Sequence, residues 1–398
     1  MPKTEQGPGG TVRPRVLLDA TAVPRDIGGV GRYVLALIAA MPPADVDLIV
    51  ACQRDAVEEL TRRCPGVRFV PIPRAWRSVP MRLVWEQLAL PGLARRLGAE
   101  VIHSPHYTLP LASSRPVVVT LHDATFFTMP EVHSGVKGRF FRAWTRLALR
   151  RAAVIVVPSE TTGEEVAAHV GRARGPVVVA AHGVDLVRFH PPEASELTRF
   201  RARWGEAAWV AFLGTIEPRK NVPLLVRAFD SVAADPEVEA VAPGLRLLLA
   251  GQQGWERGLE EAVAATERPE RIVRLGYLPE GELRALLGGA ALVAYPSRAE
   301  GFGLPVLEAM ACGAAVVTTR HGALREIGGE AVVYTEESAT GLAELMRALI
   351  LDRAARADLG ARARARAETF TWAASAAAHA RAYRRALRLP ASGRGGRR

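Results

Sequence analysis

The chain has 398 residues, 49% of them hydrophobic and 23% charged, more material than one ordinary core takes up, so two globular domains are expected. No apolar run reaches the roughly 18 residues of a membrane-spanning helix, and MPKTEQGPGGTVRPR at the start holds no apolar export signal. Three cysteines (Cys52, Cys64, Cys312) without metal spacing fit a reducing cytoplasm, and the net charge of +11 favours an anionic partner, with no base-reading motif to make that partner a nucleic acid.

Strand-like runs alternate with amphipathic helical ones, which predicts α/β domains built on open parallel sheets. The first half reads as strands at 15–19, 47–52, 68–72, 101–104, 117–122, 154–159 and 177–182, with helices near 30–40, 81–97, 136–151 and 161–170. From His190 to Trp204 (HPPEASELTRFRARW) two prolines and a run of charge break the rhythm, so a linker is expected there. Strands resume at 209–214, 245–251, 271–276, 291–297, 314–319 and 331–334, before a last helix near 372–388. The expected domains are therefore 1–190 and 205–370, both doubly wound, followed by a disordered basic tail at 391–398. Ligands in such sheets bind beyond the carboxyl ends of the strands, here in a cleft facing both domains.

In the first domain DIGGVGRYV (26–34) sets Gly28, Gly29 and Gly31 at a helix start, a weak signal for a phosphate-binding turn. TLHDAT (120–125) ends a strand on His122, and VIHSPHY puts His103 and His106 at another strand end, where they are expected to line an acceptor side. Asp45-Val46-Asp47 has the spacing of a metal-binding D-x-D but precedes a strand, and His122-Asp123 lacks further ligands, so no metal is expected. Between Val132 and Ser159 six basic residues (Lys137, Arg139, Arg142, Arg146, Arg150, Arg151) oppose a face with Phe140, Trp144 and Leu147. That helix either lies on an anionic membrane or packs its aromatic side onto the sheet.

The second domain carries the sharper patterns. FLGTIEPRKN (212–221) follows its first strand, with Gly214 and Thr215 in the turn and Arg219 and Lys220 beyond it. SRAEGFGLPVLEAMACG (297–313) places the turn Glu300, Gly301, Phe302, Gly303 before a helix opening at Leu304. Amides and dipole at such a helix start suit a phosphate. Glu308, about one turn further on, has the reach and chemistry to accept from two ribose hydroxyls.

This E-x7-E segment resembles the signature of the retaining glycosyltransferases of family four, which have the GT-B fold. The resemblance implies that Glu308 binds ribose, that Glu300 lies near the donor sugar, and that Gly301, Phe302, Gly303 and Leu304 hold the diphosphate. It implies that Gly214, Thr215, Arg219 and Lys220 meet the phosphates and stabilise the leaving group. Tyr277 and Leu278 would flank the base, Gly29 and Gly31 would meet the diphosphate or acceptor, and His122 would contact the reacting sugar. HGVD (182–185) is similar to the family's N-G-V-D, with His182 in place of asparagine. The last helix, 371–390, would cross back onto the acceptor-binding first domain.

The reaction expected is metal-independent, needs no cofactor beyond the nucleotide-sugar donor, and has domain closure excluding water. Retention by double displacement would need a carboxylate beneath the anomeric carbon, a place no residue obviously fills, so front-face substitution is preferred. The G-T-x-E-P-R-K-N variant leans towards GDP-mannose and a mannosyltransferase, with UDP- and ADP-sugars open and a glycan or lipid-linked acceptor. The location expected is cytoplasmic, peripheral at the inner face of the membrane if the basic helix binds there. Rival readings are a nucleotide-sugar epimerase, a phosphorylase (disfavoured by the lack of a pyridoxal-phosphate lysine motif), and a non-catalytic basic binder of membrane or nucleic acid.

Overall fold

A computed structural model describes residues 13–23, 29–76 and 78–389. The chain divides into two compact units: one runs to Gly183 and resumes at Trp372, and the other is Val184–Thr371. Gly28 and the tail at 391–398 lie outside the described residues.

The first unit is a seven-stranded sheet of β1 (Arg15–Asp19), β2 (Asp47–Gln53), β3 (Arg68–Ile72), β4 (Val101–Ser104), β5 (Val117–Thr120), β6 (Val154–Val157) and β7 (Val177–Val179). All pairings are parallel and the order is β3-β2-β1-β4-β5-β6-β7, so the winding reverses between β1 and β4. Strands buried on both faces are nearly continuous Val, Ile and Leu, as RVLLD and VIVV show. Alternate residues feed two cores. Val16 and Leu18 pack with Tyr33, Leu37 and Tyr383, while Leu17 packs with Trp85, Leu90 and Leu149.

Helix Trp372–Arg388 lies on the first of those faces. Its alanines favour the helix, and buried Ala376, Ala380, Ala382 and Ala386 let it settle close to the strands. Ser375, His379 and Tyr383, spaced by four, form a polar stripe on its buried side.

The second unit has six parallel strands: β8 (Trp209–Leu213), β9 (Arg246–Ala250), β10 (Ile272–Gly276), β11 (Leu292–Tyr295), β12 (Val316–Thr319) and β13 (Val333–Thr335). Their order, β10-β9-β8-β11-β12-β13, repeats the pattern of the first sheet, and the winding reverses between β8 and β11.

Two expectations need correction. The segment 190–204 is no linker, because Ala194–Trp204 is a helix of the second unit. Glu193 and Glu196 close a capping box at its start, Phe200 packs on Trp209 at 5.2 Å, and Glu196 pairs with Arg284. The helix expected at 81–97 is two, Val79–Leu88 and Leu90–Arg96, because Pro91 cannot continue the first and suits the opening turn of the second. Among the described residues no helix is long and apolar enough to cross a membrane.

Candidate active site

The carboxyl ends of β8 and β11, where the second sheet reverses, bring together the loop after β8 and the turn after β11. After β8 the chain makes a 3-10 turn, Pro218–Lys220, and enters helix Val222–Ala233 through Asn221 at φ 55°, ψ 40°. Asparagine tolerates that left-handed conformation better than most residues. The reversal turns Arg219 and Lys220 towards the neighbouring loop. The Arg219 carbonyl accepts from the Arg298 amide at 2.7 Å, with the Ser297 hydroxyl 3.1 Å away.

Glu300 is the centre of this group. Lys220 Nζ donates to Glu300 Oε1 and to the Tyr295 hydroxyl. The Tyr295 hydroxyl donates to the same Oε1 at 2.9 Å, as does the Ser297 hydroxyl at 3.0 Å. Arg219 Nη1 meets Glu300 Oε2 at 2.8 Å, and Nη2 meets Glu217 Oε1 at 2.6 Å. All four charged residues are largely buried, and their two cations and two carboxylates sum to zero.

Burial raises the Glu300 carboxyl, but the charges of Arg219 and Lys220 and their hydrogen bonds outweigh it and hold the group at about 2. Burial, then Arg219, lowers Lys220, and Glu300 and Glu217 pull it back. Burial, then the Glu300 charge, drives the Tyr295 phenol well up, so it stays a donor. Sequence reasoning gave no role to Glu217, Tyr295 or Ser297. Tyr295 and Ser297 alternate on the strand end YPS, which turns both to the side of Glu300.

The turn at 301–303 is buried and delivers the chain into helix Leu304–Ala311. Gly303 sits at φ 105°, and a Cβ there would meet Leu324 Cδ2 at 2.7 Å, so only glycine makes this entry. Phe302 is buried and lies edge-on to Phe370 at 6.1 Å. Glu308 is buried one turn into the helix, near enough to Cys312 that its charge adds to burial in raising that thiol.

Gly214 follows β8, its amide donating to Ala250 at 2.9 Å, and Thr215 comes next. Tyr277 and Leu278 follow β10, two strands from β8 or roughly 10 Å away, with Tyr277 73% exposed and Leu278 buried. The structure gathers Arg219, Lys220 and Glu300 into one group and leaves Tyr277 and Leu278 apart from it.

Gly29, Gly31 and His122 belong to the first unit. Gly29 opens helix Gly29–Ala40 and Gly31 is buried within it. His122, half-buried just past β5, donates from Nε2 to the Pro105 carbonyl at 2.7 Å, and burial pulls it below its ordinary value. It is thus neutral, with Nδ1 as acceptor, and packs edge-on against Tyr33 at 5.1 Å.

His103 does not line an open surface. It is fully buried in a network whose protons can be assigned from one end. His379 Nδ1 donates to the Ser375 carbonyl at 2.8 Å, and burial lowers His379 to about 4, so Nε2 accepts from the Tyr33 hydroxyl at 2.8 Å. Thr120 then donates to Tyr33 at 3.0 Å and His103 Nε2 to Thr120 at 2.9 Å, which leaves His103 Nδ1 to accept from Tyr383 at 2.8 Å. His182 is buried too, stacked on Trp372 at 5.6 Å and tilted against Tyr33 at 4.8 Å.

The basic helix, Gly135–Arg151, packs Trp144 and Leu147 onto the second core as in the second expected reading, but Phe141, not Phe140, is the phenylalanine that joins them there. Asp47 pairs with Arg15 and Asp45 with Arg384 at 2.7 Å, both at the amino end of the sheet, away from where ligands enter.

Residues 27–188 match the model of Glycosyltransferase Family 4, and residues 195–366 match that of Glycosyl transferases group 1. The chain is similar to O-antigen chain mannosyltransferase B of Escherichia coli, with 32% identity over 58% of this chain and 60% of that protein. It is also similar to the glycogen synthase of Mycobacterium tuberculosis, with 27% identity over 83% of this chain and 84% of that one. In fold it resembles sucrose-phosphate synthase from Thermosynechococcus elongatus, with a TM-score of 0.72 at 20% identity, covering 94% of this chain and 98% of that one. The two models together match 334 of the 398 residues (162 and 172), on two parallel sheets that share a strand order: the chain is a glycosyltransferase with the GT-B fold, its first part similar to family four.

Proposed function

We propose that the second unit binds a nucleoside-diphosphate sugar and that the chain transfers its sugar, with retention, to a hydroxyl of a glycan or lipid-linked acceptor bound by the first unit. The favoured donor is GDP-mannose. The buried group of Glu300, Lys220 and Arg219, beside a turn that opens a helix at the sheet's reversal, carries this reading. Its cations are already out of water and fixed, as stabilising a departing diphosphate requires. Mannose is supported by the mannosyltransferase relative and by GTIEPRKN.

In the proposed step the bond from C1 to the diphosphate oxygen breaks and the nucleoside diphosphate leaves with the electron pair. The acceptor hydroxyl bonds to C1 on the same face, and its proton passes to the departing phosphate oxygen. Arg219 and Lys220 take up the charge of the leaving group, Glu300 positions the sugar, Glu308 holds the ribose, and His122 contacts the sugar.

Thermal unfolding with saturating GDP, UDP and ADP tests the donor, in the wild type and in Glu308→Ala. A ligand at about 100 times its dissociation constant adds roughly 2.7 kcal/mol, or several degrees. GDP is expected to stabilise the wild type most, and Glu308→Ala to lose most of that shift. A wild type that no nucleotide stabilises would sink the reading.

A further inference from the structure

The first unit holds a second polar group, at the reversal of its own sheet. Asp19 and Ser104 are the last residues of β1 and β4, and Leu18 pairs with His103, so the two end side by side. Leu17 and Ile102 share a core with Trp85. Asp19 and Ser104, two residues further along each strand, project to that same face. Helix Val79–Leu88 sends Trp85 into that core, and its Glu86 lies within range of the Asp19 charge.

Glu86 is 4% exposed, and its Oε2 accepts from the Thr108 hydroxyl at 2.7 Å. Glu86 Oε1 and the Ser104 hydroxyl, which is 3% exposed, have no hydrogen-bond partner among the described residues. The Asp19 carboxylate accepts from the Thr21 amide at 2.9 Å and lies near enough for its charge, after burial, to push Glu86 up to about 8. Arg82, half-exposed on the same helix, faces both acids.

Leaving a carboxyl oxygen and a hydroxyl buried without partners costs stability, and folded interiors rarely do so. The chemistry of the group narrows what would complete it. Asp19, whose charge helps to push Glu86 up, repels a phosphate, while the nearby Arg82 repels a divalent cation. A sugar ring suits the mixture, since each of its hydroxyls can donate to a carboxylate oxygen and accept from a hydroxyl. We infer that Asp19, Glu86 and Ser104 form a subsite for the hydroxyls of a neutral sugar ring, the terminal sugar of the acceptor. The inference rests on the glycosyl-transfer reading above. Arg82 and Thr108 stand at the half-exposed edge of the subsite.

Saturation-transfer NMR on the full chain tests it, with methyl α-D-mannopyranoside, methyl α-D-glucopyranoside and myo-inositol as probes. GDP binding is measured on the same samples. At least one probe is expected to bind the wild type, to weaken several-fold in Ser104→Val and Glu86→Gln, and to weaken tenfold or more in Glu86→Leu. GDP binding is expected to be unchanged throughout. Glu86→Leu should unfold at or above the wild-type temperature, because it removes an unpaired buried carboxyl, whereas loss of a merely structural acid would lower it. If GDP binds and no probe does, or if Glu86→Leu binds the probes like the wild type, the subsite is overturned and the donor reading stands. Displacement of the bound probe by magnesium chloride or inorganic phosphate would overturn it as well. Glu86-dependent probe binding without GDP binding would support the subsite and remove the donor reading.

Discussion

Arg219 Nη1 and Glu300 Oε2 lie 2.8 Å apart, joining the loop after β8 to the turn after β11. With Lys220, Tyr295 and Ser297 on the other carboxylate oxygen, the pair is fixed from four directions. Buried ion pairs are poor devices for stability, since desolvation offsets most of their attraction. In the proposed transfer this one serves as a prepared electrostatic surface, with both cations largely buried and oriented before any substrate arrives.

Lys220→Ala should therefore act on the chemical step. Turnover is expected to fall by about a hundredfold to a thousandfold, the range for removing one oriented charge from a transition state. The thermal shift given by GDP should change far less. Steady-state kinetics beside the thermal titration separate the two, and a variant with wild-type turnover would take Lys220 out of the reaction. Glu300→Gln should also lower stability, by about 3 kcal/mol, because it leaves Arg219 and Lys220 facing each other with only Glu217 in compensation.

Glu86 gives a pH dependence of opposite sense to an ordinary carboxylate. Its folded value, raised by burial and then by Asp19 to about 8, lies above its unfolded value, so the folded chain binds the extra proton. That contribution is fully present below about pH 4.5 and is lost as pH rises through about 8. Between those limits a single group of this kind lowers stability by at most about 1.4 kcal/mol per pH unit. Melting temperatures measured from pH 5 to 8 should fall more steeply for the wild type than for Glu86→Gln. Parallel slopes would show that Glu86 titrates normally.

Most of the architecture was legible because parallel strands buried on both faces write themselves as short apolar runs; LVAY and VIVV leave little choice. The helix at Ala194–Trp204 was hidden by charge, since its apolar side amounts to little more than Leu197 and Phe200 and two prolines precede it. Glu300, Lys220 and Arg219 could be read as a group from resemblance, while Glu217, Tyr295 and Ser297 could not. Their roles depend on which way a strand end and a 3-10 turn face. The histidines were harder still. His103 and His122 both lie near strand ends in the sequence, yet His103 is sealed beneath the C-terminal helix, where Tyr383 binds it, while His122 falls just past β5 and is half-open.

That buried network makes its own prediction. Tyr383→Phe removes the donor to His103 Nδ1, and His379→Leu removes the acceptor for Tyr33. Each should cost about 1–3 kcal/mol, the desolvation of one orphaned group, or a melting temperature lower by several degrees. Combining His379→Leu with Tyr33→Phe should cost less than the sum, because both partners of one bond are removed together. Additive losses would mean the hydroxyl and the ring do not depend on each other.

Gly322 tests how tightly the position of Glu300 is set. It sits at φ 57°, and a Cβ there would lie 2.4 Å from the Glu300 carbonyl oxygen and 2.9 Å from its amide nitrogen. Both neighbours are backbone, so no side chain can give way, and the turn at 300–303 must shift instead. Gly322→Ala is expected to destabilise by about 2 kcal/mol or more from the left-handed conformation and the clash. It should also lower turnover at least tenfold, because small displacements of a positioned group are costly. Gly281 supplies the control: it lies in helix Glu280–Gly288 with nothing within 4 Å of an added Cβ, so alanine there should stabilise by about 0.5–1 kcal/mol and leave turnover alone. Equal turnover in the two variants would show that the approach of Gly322 does not govern the Glu300 carboxylate.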